Sequence, residues 1–372
     1  MSTGVPTPAA KNAATSPLRV MVVDDSAVIR GVISRLIAED TQTSEVVALA
    51  GNGQQAVDRA RKGDIDVIIL DIEMPVMDGL TALPHLLSIT PKPVVIMAST
   101  LTTRNADISF RAMALGAKDY VPKPTLLTPG AGLAEFKRDL LEKIRTLGNR
   151  YRRPHLVQSA STGIPGVAAK PADFTLRPKP IQRLEALAIG SSTGGPMALT
   201  KLLKALPAPS SLPIFITQHM PPTFTRMLAE NITRDTGHKC AEAQHGETVA
   251  PGRVYIAPGD YHMTINREAR GLTVSLDQNA KENFCRPAVD PMLRSLAPVY
   301  QRGLLVAMLT GMGQDGLLGA QDVTKAGGSV VAQDEASSVV WGMPGAVAKA
   351  GLCWAVLPLD TLGPEIAKQV GR

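Results

Sequence analysis

The chain has 372 residues, 44% hydrophobic and 19% charged, the composition of a globular protein with too much chain for one ordinary core. Aromatic residues make up only 3%, which argues against a base-stacking nucleic-acid surface. The net charge of +6 is uneven. Between Arg145 and Arg183, the residues Arg150, Arg152, Arg153, Lys170, Arg177 and Lys179 stand against a single acid, Asp173, the pattern of a solvated basic linker rather than a nucleic-acid arm. Cys240, Cys285 and Cys353 form no C-x-x-C pair, so neither a disulfide framework nor a zinc site is expected, and a reducing cytoplasm fits.

Residues 1–17 are rich in Ala, Thr and Pro and are expected to be a disordered tail rather than a signal peptide. No apolar run is long enough to span a bilayer. From 18 to 147, short β-branched runs alternate with amphipathic stretches. Strands are predicted at Arg19–Val23, Glu45–Ala50, Val67–Leu70 and Val94–Ala98, with a weaker one at Lys118–Val121. This alternation predicts a doubly wound α/β domain with a five-stranded parallel sheet.

Asp24 and Asp25 follow the first of these strands and Asp71 ends the third, so the three carboxylates converge on the C-terminal edge of a parallel sheet. Clustered acids repel unless a cation sits among them, and hard oxygen ligands suit Mg²⁺. Ser99 or Thr100 ends the fourth strand and Lys123 follows the fifth, a hydroxyl and a cation suited to a phosphoryl group. The set Asp24-Asp25, Asp71-Ile72-Glu73-Met74-Pro75-Val76-Met77-Asp78-Gly79, Ser99-Thr100 and Lys123-Pro124 resembles a response-regulator receiver domain. The resemblance implies Asp71 as phospho-acceptor, with Mg²⁺ on Asp24, Asp25, Asp71 and the Glu73 backbone carbonyl. It further implies Lys123 at the phosphoryl group, Ser99 as the sensing hydroxyl, and a cis Lys123–Pro124 bond.

Residues 148–183 hold Pro154, Pro165, Pro171, Pro178 and Pro180 among small polar residues and are expected to be a flexible linker. The second domain, 184–372, resumes βα alternation. Strands are predicted at Ala186–Ile189, Pro213–Thr217, Arg253–Ile256, Leu304–Met308 and Gly328–Ala332, and helices at Pro196–Leu206, Thr223–Thr236, Val289–Ala297 and Gly316–Ala326. His262–Ile265 and Leu272–Leu276 read as an antiparallel hairpin, so the expectation is a mostly parallel, Rossmann-like sheet with one antiparallel element.

Gly190-Ser191-Ser192-Thr193-Gly194 fits G-x-S-x-G at a strand-to-helix turn, making Ser192 the candidate nucleophile and Ser191 a filler. A serine needs a base. Of six histidines, His219 alone ends a predicted strand, Ile214–Gln218, on the same edge as Ser192. Asp315, in Gly311-Met312-Gly313-Gln314-Asp315-Gly316 after the strand ending at Met308, is placed to orient His219; a helix N-cap is the ordinary alternative for that aspartate. The Met312 N–H is the candidate oxyanion donor. The order Ser–His–Asp differs from the Ser–Asp–His of α/β-hydrolases, so that topology is not implied.

Together with Ala243-Gln244-His245-Gly246-Glu247, the run Tyr255–Met263 and Trp341-Gly342-Met343-Pro344, these motifs resemble the chemotaxis protein-glutamate methylesterase (CheB) family. That resemblance implies hydrolysis of glutamyl methyl esters on the cytoplasmic helices of chemoreceptors, often with deamidation of receptor glutamines. It implies a sensor histidine kinase as phosphodonor, a cytoplasmic location, no nucleic-acid partner, no membrane insertion and no cofactor for the ester chemistry. Cys285 stands where the resemblance leads one to expect histidine before Arg286-Pro287, a departure on which the proposed chemistry does not depend. A DNA-binding output domain lacks its helix-turn-helix pattern here. A nucleotide site at Gly190–Gly195 lacks the G-K-[ST] ending and the G-x-G-x-x-G spacing. A non-catalytic receptor-binding scaffold remains a third alternative, separable by an esterase assay on Ser192→Ala.

Overall fold

The computed structural model describes residues 16–123, 131–152, 175–181, 183–269 and 271–370. The N-terminal sheet holds β1 (Leu18–Val23), β2 (Ser44–Ala50), β3 (Val67–Asp71), β4 (Val94–Ser99) and β5 (Asp119–Pro122) in the order β2-β1-β3-β4-β5. β1 pairs in parallel with β2 and β3, and β4 with β5. Every residue of β3 and β4 is buried, which is why Val67–Leu70 and Val94–Ala98 read as unbroken apolar runs instead of alternating. The helices are α1 (Ala27–Ala38), α2 (Gly53–Ala60), α3 (Gly79–Leu87), α4 (Thr103–Leu115) and α5 (Ala131–Arg152). The first four start at side-chain caps: Ser26, Asn52, Asp78 and Thr102 accept from the amides of Ile29, Gln55, Thr81 and Asn105. α5 continues through Gly148 to Arg152, past the boundary expected at 147.

The C-terminal sheet has seven strands, order β14-β13-β12-β6-β7-β9-β8, and every neighbouring pair is parallel. They are β6 (Ala186–Ser191), β7 (Ile214–Gln218), β8 (Lys239–Glu242), β9 (Arg253–Ile256), β12 (Leu304–Met308), β13 (Ser329–Gln333) and β14 (Cys353–Leu357). The hairpin β10 (His262–Glu268) and β11 (Gly271–Asp277) forms a separate two-stranded antiparallel sheet. The helices are α6 (Gly195–Lys204), α7 (Phe224–Thr236), α8 (Val289–Tyr300), α9 (Leu317–Lys325), α10 (Met343–Lys349) and α11 (Leu359–Val370). A core including Phe215, Tyr255, Met263, Ile265, Met292, Leu296 and Val306 is buried, with the Phe215 and Tyr255 rings stacked at 5.4 Å.

β8, β14, α10 and α11 lie outside the elements predicted from sequence. β8 sits at the sheet edge with alternating exposure, so Lys239-Cys240-Ala241-Glu242 carries no apolar run to announce it. The chain separates into two compact units whose boundary does not follow the sheets: β4 from Ile96, α4 and β5 belong with the seven-stranded sheet, and the rest of the first sheet with α5 forms the other unit.

Candidate functional site

The central strand β6 has β7 on one side and β12 on the other. The chain moves from β6 to β7 and later returns to the opposite flank, which makes the C-terminal end of β6 a topological switch point, where open α/β sheets open a crevice. Ser192 follows β6, His219 follows β7 and Asp315 lies beyond β12, so three adjacent strands each deliver one candidate residue to that edge.

Ser192 is half-buried, and its backbone is fixed on both sides. Its N–H donates to the Thr310 carbonyl at 3.0 Å, and its carbonyl accepts from Gln218 Nε2 at 2.9 Å. Ser191 is fully buried, and its hydroxyl donates to Gln218 Oε1 at 2.7 Å. The turn is tight: a Cβ on Gly195 would come within 1.9 Å of that same Gln218 oxygen. The His219 N–H donates to the Ser191 carbonyl at 3.2 Å, which sets the histidine beside the serine turn.

His219 Nε2 lies 2.7 Å from Asp315 Oδ2. Asp315 is 1% exposed and is held by further donors. Oδ2 accepts from the Val289 N–H at 2.6 Å, and Oδ1 from the amides of Asp290 at 3.1 Å and Gly316 at 2.9 Å and from Asn283 Nδ2 at 3.0 Å. The carboxylate therefore sits against the first turn of α8 and at the entry to α9, where amides and helix dipoles favour negative charge. Burial opposes ionisation, but His219 and these amides outweigh it and hold the Asp315 pKa below the ordinary range. The capping alternative is thus present as well: the same carboxylate orients His219 and satisfies helix N-terminal amides. Asp290, 1% exposed, lies behind it and accepts from Gly319 N at 2.7 Å and from Asn283 Nδ2 at 3.0 Å. Burial pushes its pKa up to about 6, the neighbouring Asp315 acting in the same direction.

The second ring nitrogen, Nδ1, is 3.4 Å from Cys285 Sγ. Among the described residues the Ser192 hydroxyl makes no hydrogen bond to His219. Burial works against a charged ring, yet Cys285 and Asp315 together raise the His219 pKa well above its usual 6.5. This thiol contact escapes sequence reasoning because Cys285 is far from His219 in sequence and a lone cysteine carries no spacing signal.

The Met312 turn adjoins the serine: a Cβ on Gly311 would stand 2.9 Å from Ser192 Cβ. Among the described residues the Met312 N–H donates to no acceptor within the chain. The turn is propped from behind by the Gly342 and Met343 amides, which donate to the Gly311 carbonyl at 3.0 and 2.9 Å. That contact gives the Trp341-Gly342-Met343-Pro344 motif a physical role.

In the N-terminal sheet, Asp24, Asp25 and Asp71 bring one carboxylate oxygen each within 4.8 Å of one another. All-oxygen donors at this spacing fit Mg²⁺, whose bonds of about 2.1 Å and retained waters need only a few protein ligands. Glu73 is exposed just beyond β3, where its carbonyl is the part expected to contribute. Ser99 is fully buried at the end of β4, its hydroxyl donating to the Thr100 carbonyl at 3.1 Å. The Lys123 amide donates to the Ser99 carbonyl at 2.7 Å. The expected cis bond involves Pro124, which lies outside the described residues.

The CheB methylesterase family matches residues 187–366 and the response regulator receiver domain family matches 20–128. A protein-glutamate methylesterase/protein-glutamine glutaminase of Azospirillum brasilense is 52% identical, covering 96% of this chain and 93% of that protein. A protein of the same name, of the group 2 operon of Rhodospirillum centenum, is 50% identical, covering 100% of this chain and 98% of that protein. The crystal structure of the Thermotoga maritima CheB methylesterase catalytic domain is 40% identical, covering 51% of this chain and 99% of that chain with a TM-score of 0.48. This chain belongs to the CheB family of chemotaxis protein-glutamate methylesterases, with a receiver domain ahead of the methylesterase domain.

Proposed function

We propose that the chain hydrolyses glutamyl methyl esters on the cytoplasmic helices of chemoreceptors through Ser192, His219 and Asp315. The observation that carries the reading is the 2.7 Å contact between His219 Nε2 and Asp315 Oδ2 beside the Ser192 turn. With Nε2–H given to Asp315, the neutral ring keeps its lone pair on Nδ1. Nδ1 takes the Ser192 proton as Oγ attacks the ester carbonyl, and the Met312 N–H meets the oxyanion. Collapse expels methanol, protonated by His219, and leaves an acyl-enzyme. Water then gives a proton to Nδ1, its oxygen attacks, and the glutamate carboxylate and free serine are restored. A receptor glutamine enters the same path with ammonia as leaving group, which supports deamidation by this site. No cofactor is required for these steps.

The receiver half of the reading places the phosphoryl group on Asp71, supplied by a sensor histidine kinase. Asp24, Asp25, Asp71 and the Glu73 carbonyl would hold Mg²⁺, which when bound neutralises charge at the phosphoryl oxygens. Lys123 would meet that group and Ser99 sense it. Coupling to the esterase is supported by contacts within a single compact unit. Thr193, next to Ser192, donates to Asp119 Oδ2 at 2.8 Å, and the Tyr120 ring stacks on Phe224 at 4.3 Å. Phosphorylation adds charge that reorganises such contacts. Residues 18–147, 148–183 and 184–372 would act as receiver, linker and esterase. Among the described residues no helix is long and apolar enough to cross a membrane; the proposed setting is cytoplasmic.

The test is methanol release from methylated receptor, with and without a small-molecule phosphodonor, for wild type, Ser192→Ala and Asp71→Asn. Ser192→Ala should be inactive and Asp71→Asn unresponsive to phosphodonor. Wild-type rates in folded Ser192→Ala would overturn the mechanism.

A further inference from the structure

Cys285 reaches His219 from a short, strained turn. Glu282 and Cys285 pair across it, with Glu282 N donating to the Cys285 carbonyl at 3.2 Å and Cys285 N to the Glu282 carbonyl at 2.8 Å. The two residues between them are both left-handed, Asn283 at φ +50 and Phe284 at φ +63, the arrangement of a type I′ turn. Phenylalanine is an unfavourable occupant of that region, and such strain persists only where surrounding contacts hold it. Here they do. Asn283 Nδ2 donates at 3.0 Å to both Asp290 and Asp315. On the other side Arg286 is bound to Asp260 at 2.7 Å and to the carbonyls of Gln278 and Asn279 at 2.8 Å. One turn thus touches the acid of the proposed triad with one side chain and its base with another.

The consequence lies at the imidazole. Asp315 holds Nε2, and the Cys285 sulfur stands at Nδ1, the nitrogen that Ser192 needs. We propose that Cys285 is a positioning residue for ester hydrolysis: its sulfur holds His219 Nδ1 in the resting enzyme and gives up that position to the Ser192 hydroxyl when substrate binds. The proposal rests on the reading of His219 as the base. A sulfur is a weak hydrogen-bond partner, so it keeps the ring in register without competing strongly against a hydroxyl pressed in by bound substrate. Apo geometries of this kind tighten into the reactive arrangement on complex formation. When the ring is protonated, the Nδ1–H is directed at the sulfur and the Nε2–H at Asp315, so both partners favour the charged form.

Asp315 and Cys285 touch the ring, Asp290 lies behind Asp315, and Arg286 next to Cys285 is paired with Asp260. Of these, Cys285 can be altered without disturbing the carboxylate network. The experiment uses full-length enzyme as wild type, Cys285→Ala and Cys285→Ser. Two quantities are followed against pH: kcat/KM for methanol release from methylated receptor, and the titration of the His219 ring by NMR. In Cys285→Ala the ring should lose its proton at lower pH, and the rising limb of kcat/KM should move down with it. A shift of about one pH unit corresponds to a tenfold change in the protonation ratio of the imidazole. Cys285→Ser keeps a hydrogen-bonding atom at the same place and should restore most of the wild-type limb.

If both profiles of Cys285→Ala superimpose on wild type while Ser192→Ala is inactive, the positioning role is overturned and the triad stands. If the ring titration moves and the activity limb does not, His219 is not the base and both readings fall. If Cys285→Ser matches Cys285→Ala, a hydrogen-bonding atom at this place does not hold the ring and the proposal is wrong.

Discussion

Asp315 binds His219 through Nε2, with Oδ2 at 2.7 Å, while its two oxygens also accept the amides of Val289, Asp290 and Gly316. An acid engaged by so many donors has little freedom to rotate, so the ring it holds has one orientation and one tautomer. Asp315→Asn keeps the shape but lets an amide N–H face Nε2, favouring the wrong tautomer. The expected loss in kcat is about 10³- to 10⁴-fold. The change also sets an NH₂ against backbone donors, so the denaturation midpoint should fall by an amount equivalent to about 1–3 kcal/mol. Steady-state kinetics and urea titration read the two effects separately.

Asp290 makes the folded state less stable as pH rises. Its folded-state pKa is raised to about 6 from 3.8, with burial the main cause. The folded state therefore holds this proton more tightly than the unfolded chain. The associated stability is fully present below the unfolded value and is lost as pH rises through about 6, a swing of up to about 3 kcal/mol. Asp290→Asn removes the titration. Relative to wild type, the variant should gain stability between pH 4.5 and pH 7 in urea unfolding. An unchanged difference at the two pH values would show that Asp290 does not titrate there.

The Asp119–Thr193 hydrogen bond of 2.8 Å ties β5 to the residue after the proposed nucleophile. Asp119→Ala should raise the rate of the unphosphorylated full-length enzyme about two- to tenfold, the range spanned by a net contribution of about 0.5–1.5 kcal/mol. The stimulation by phosphodonor should shrink by the same factor. A basal rate equal to wild type would mean that this contact restrains nothing.

Magnesium dependence tests the acidic cluster. Asp24→Asn removes a charge from the three carboxylates that lie within 4.8 Å, so the Mg²⁺ concentration needed for phosphodonor stimulation should rise about tenfold or more. The unstimulated esterase rate should be insensitive to chelator in both proteins. Loss of the basal rate with EDTA would place a metal in the ester chemistry and overturn a mechanism carried by Ser192, His219 and Asp315 alone.

Much of the architecture is legible in the sequence because buried parallel strands announce themselves: Val67-Ile68-Ile69-Leu70 and Leu304-Leu305-Val306-Ala307-Met308 are apolar throughout and wholly buried. The strand ends then place Ser192, His219 and Asp315 on one edge with no further information. What stays hidden is whatever depends on side chains meeting across loops. Asn283 and Cys285 reach Asp315 and His219 from a turn that no periodicity marks, and its left-handed Asn283-Phe284 pair lacks the glycine that usually signals such a turn. Edge strands are the other omission. β8 alternates exposed and half-buried positions, and its Lys and Glu resemble a loop.

The oxyanion donor proposed at the Met312 amide cannot be removed by changing the Met312 side chain, so its test goes through the backbone of the neighbouring glycine. A Cβ at Gly311 would lie 2.4 Å from Met343 Sδ and 2.9 Å from Ser192 Cβ. Both are closer than real Cβ contacts, and the Gly311 carbonyl is held by the Gly342 and Met343 amides at 3.0 and 2.9 Å. Gly311→Ala must therefore displace the Met343 thioether and, pressed against the Ser192 Cβ and amide, push the turn away from the serine. An amide that moves away from the developing negative charge loses most of its stabilisation, which for one donor is worth about 10²- to 10³-fold in kcat. Substrate binding does not depend on that donor, so KM should change much less than kcat. Met343→Ala in the Gly311→Ala background removes the nearer obstruction and should recover part of the rate. A Gly311→Ala enzyme that keeps wild-type kcat would place the oxyanion donor elsewhere on the Ser192 edge.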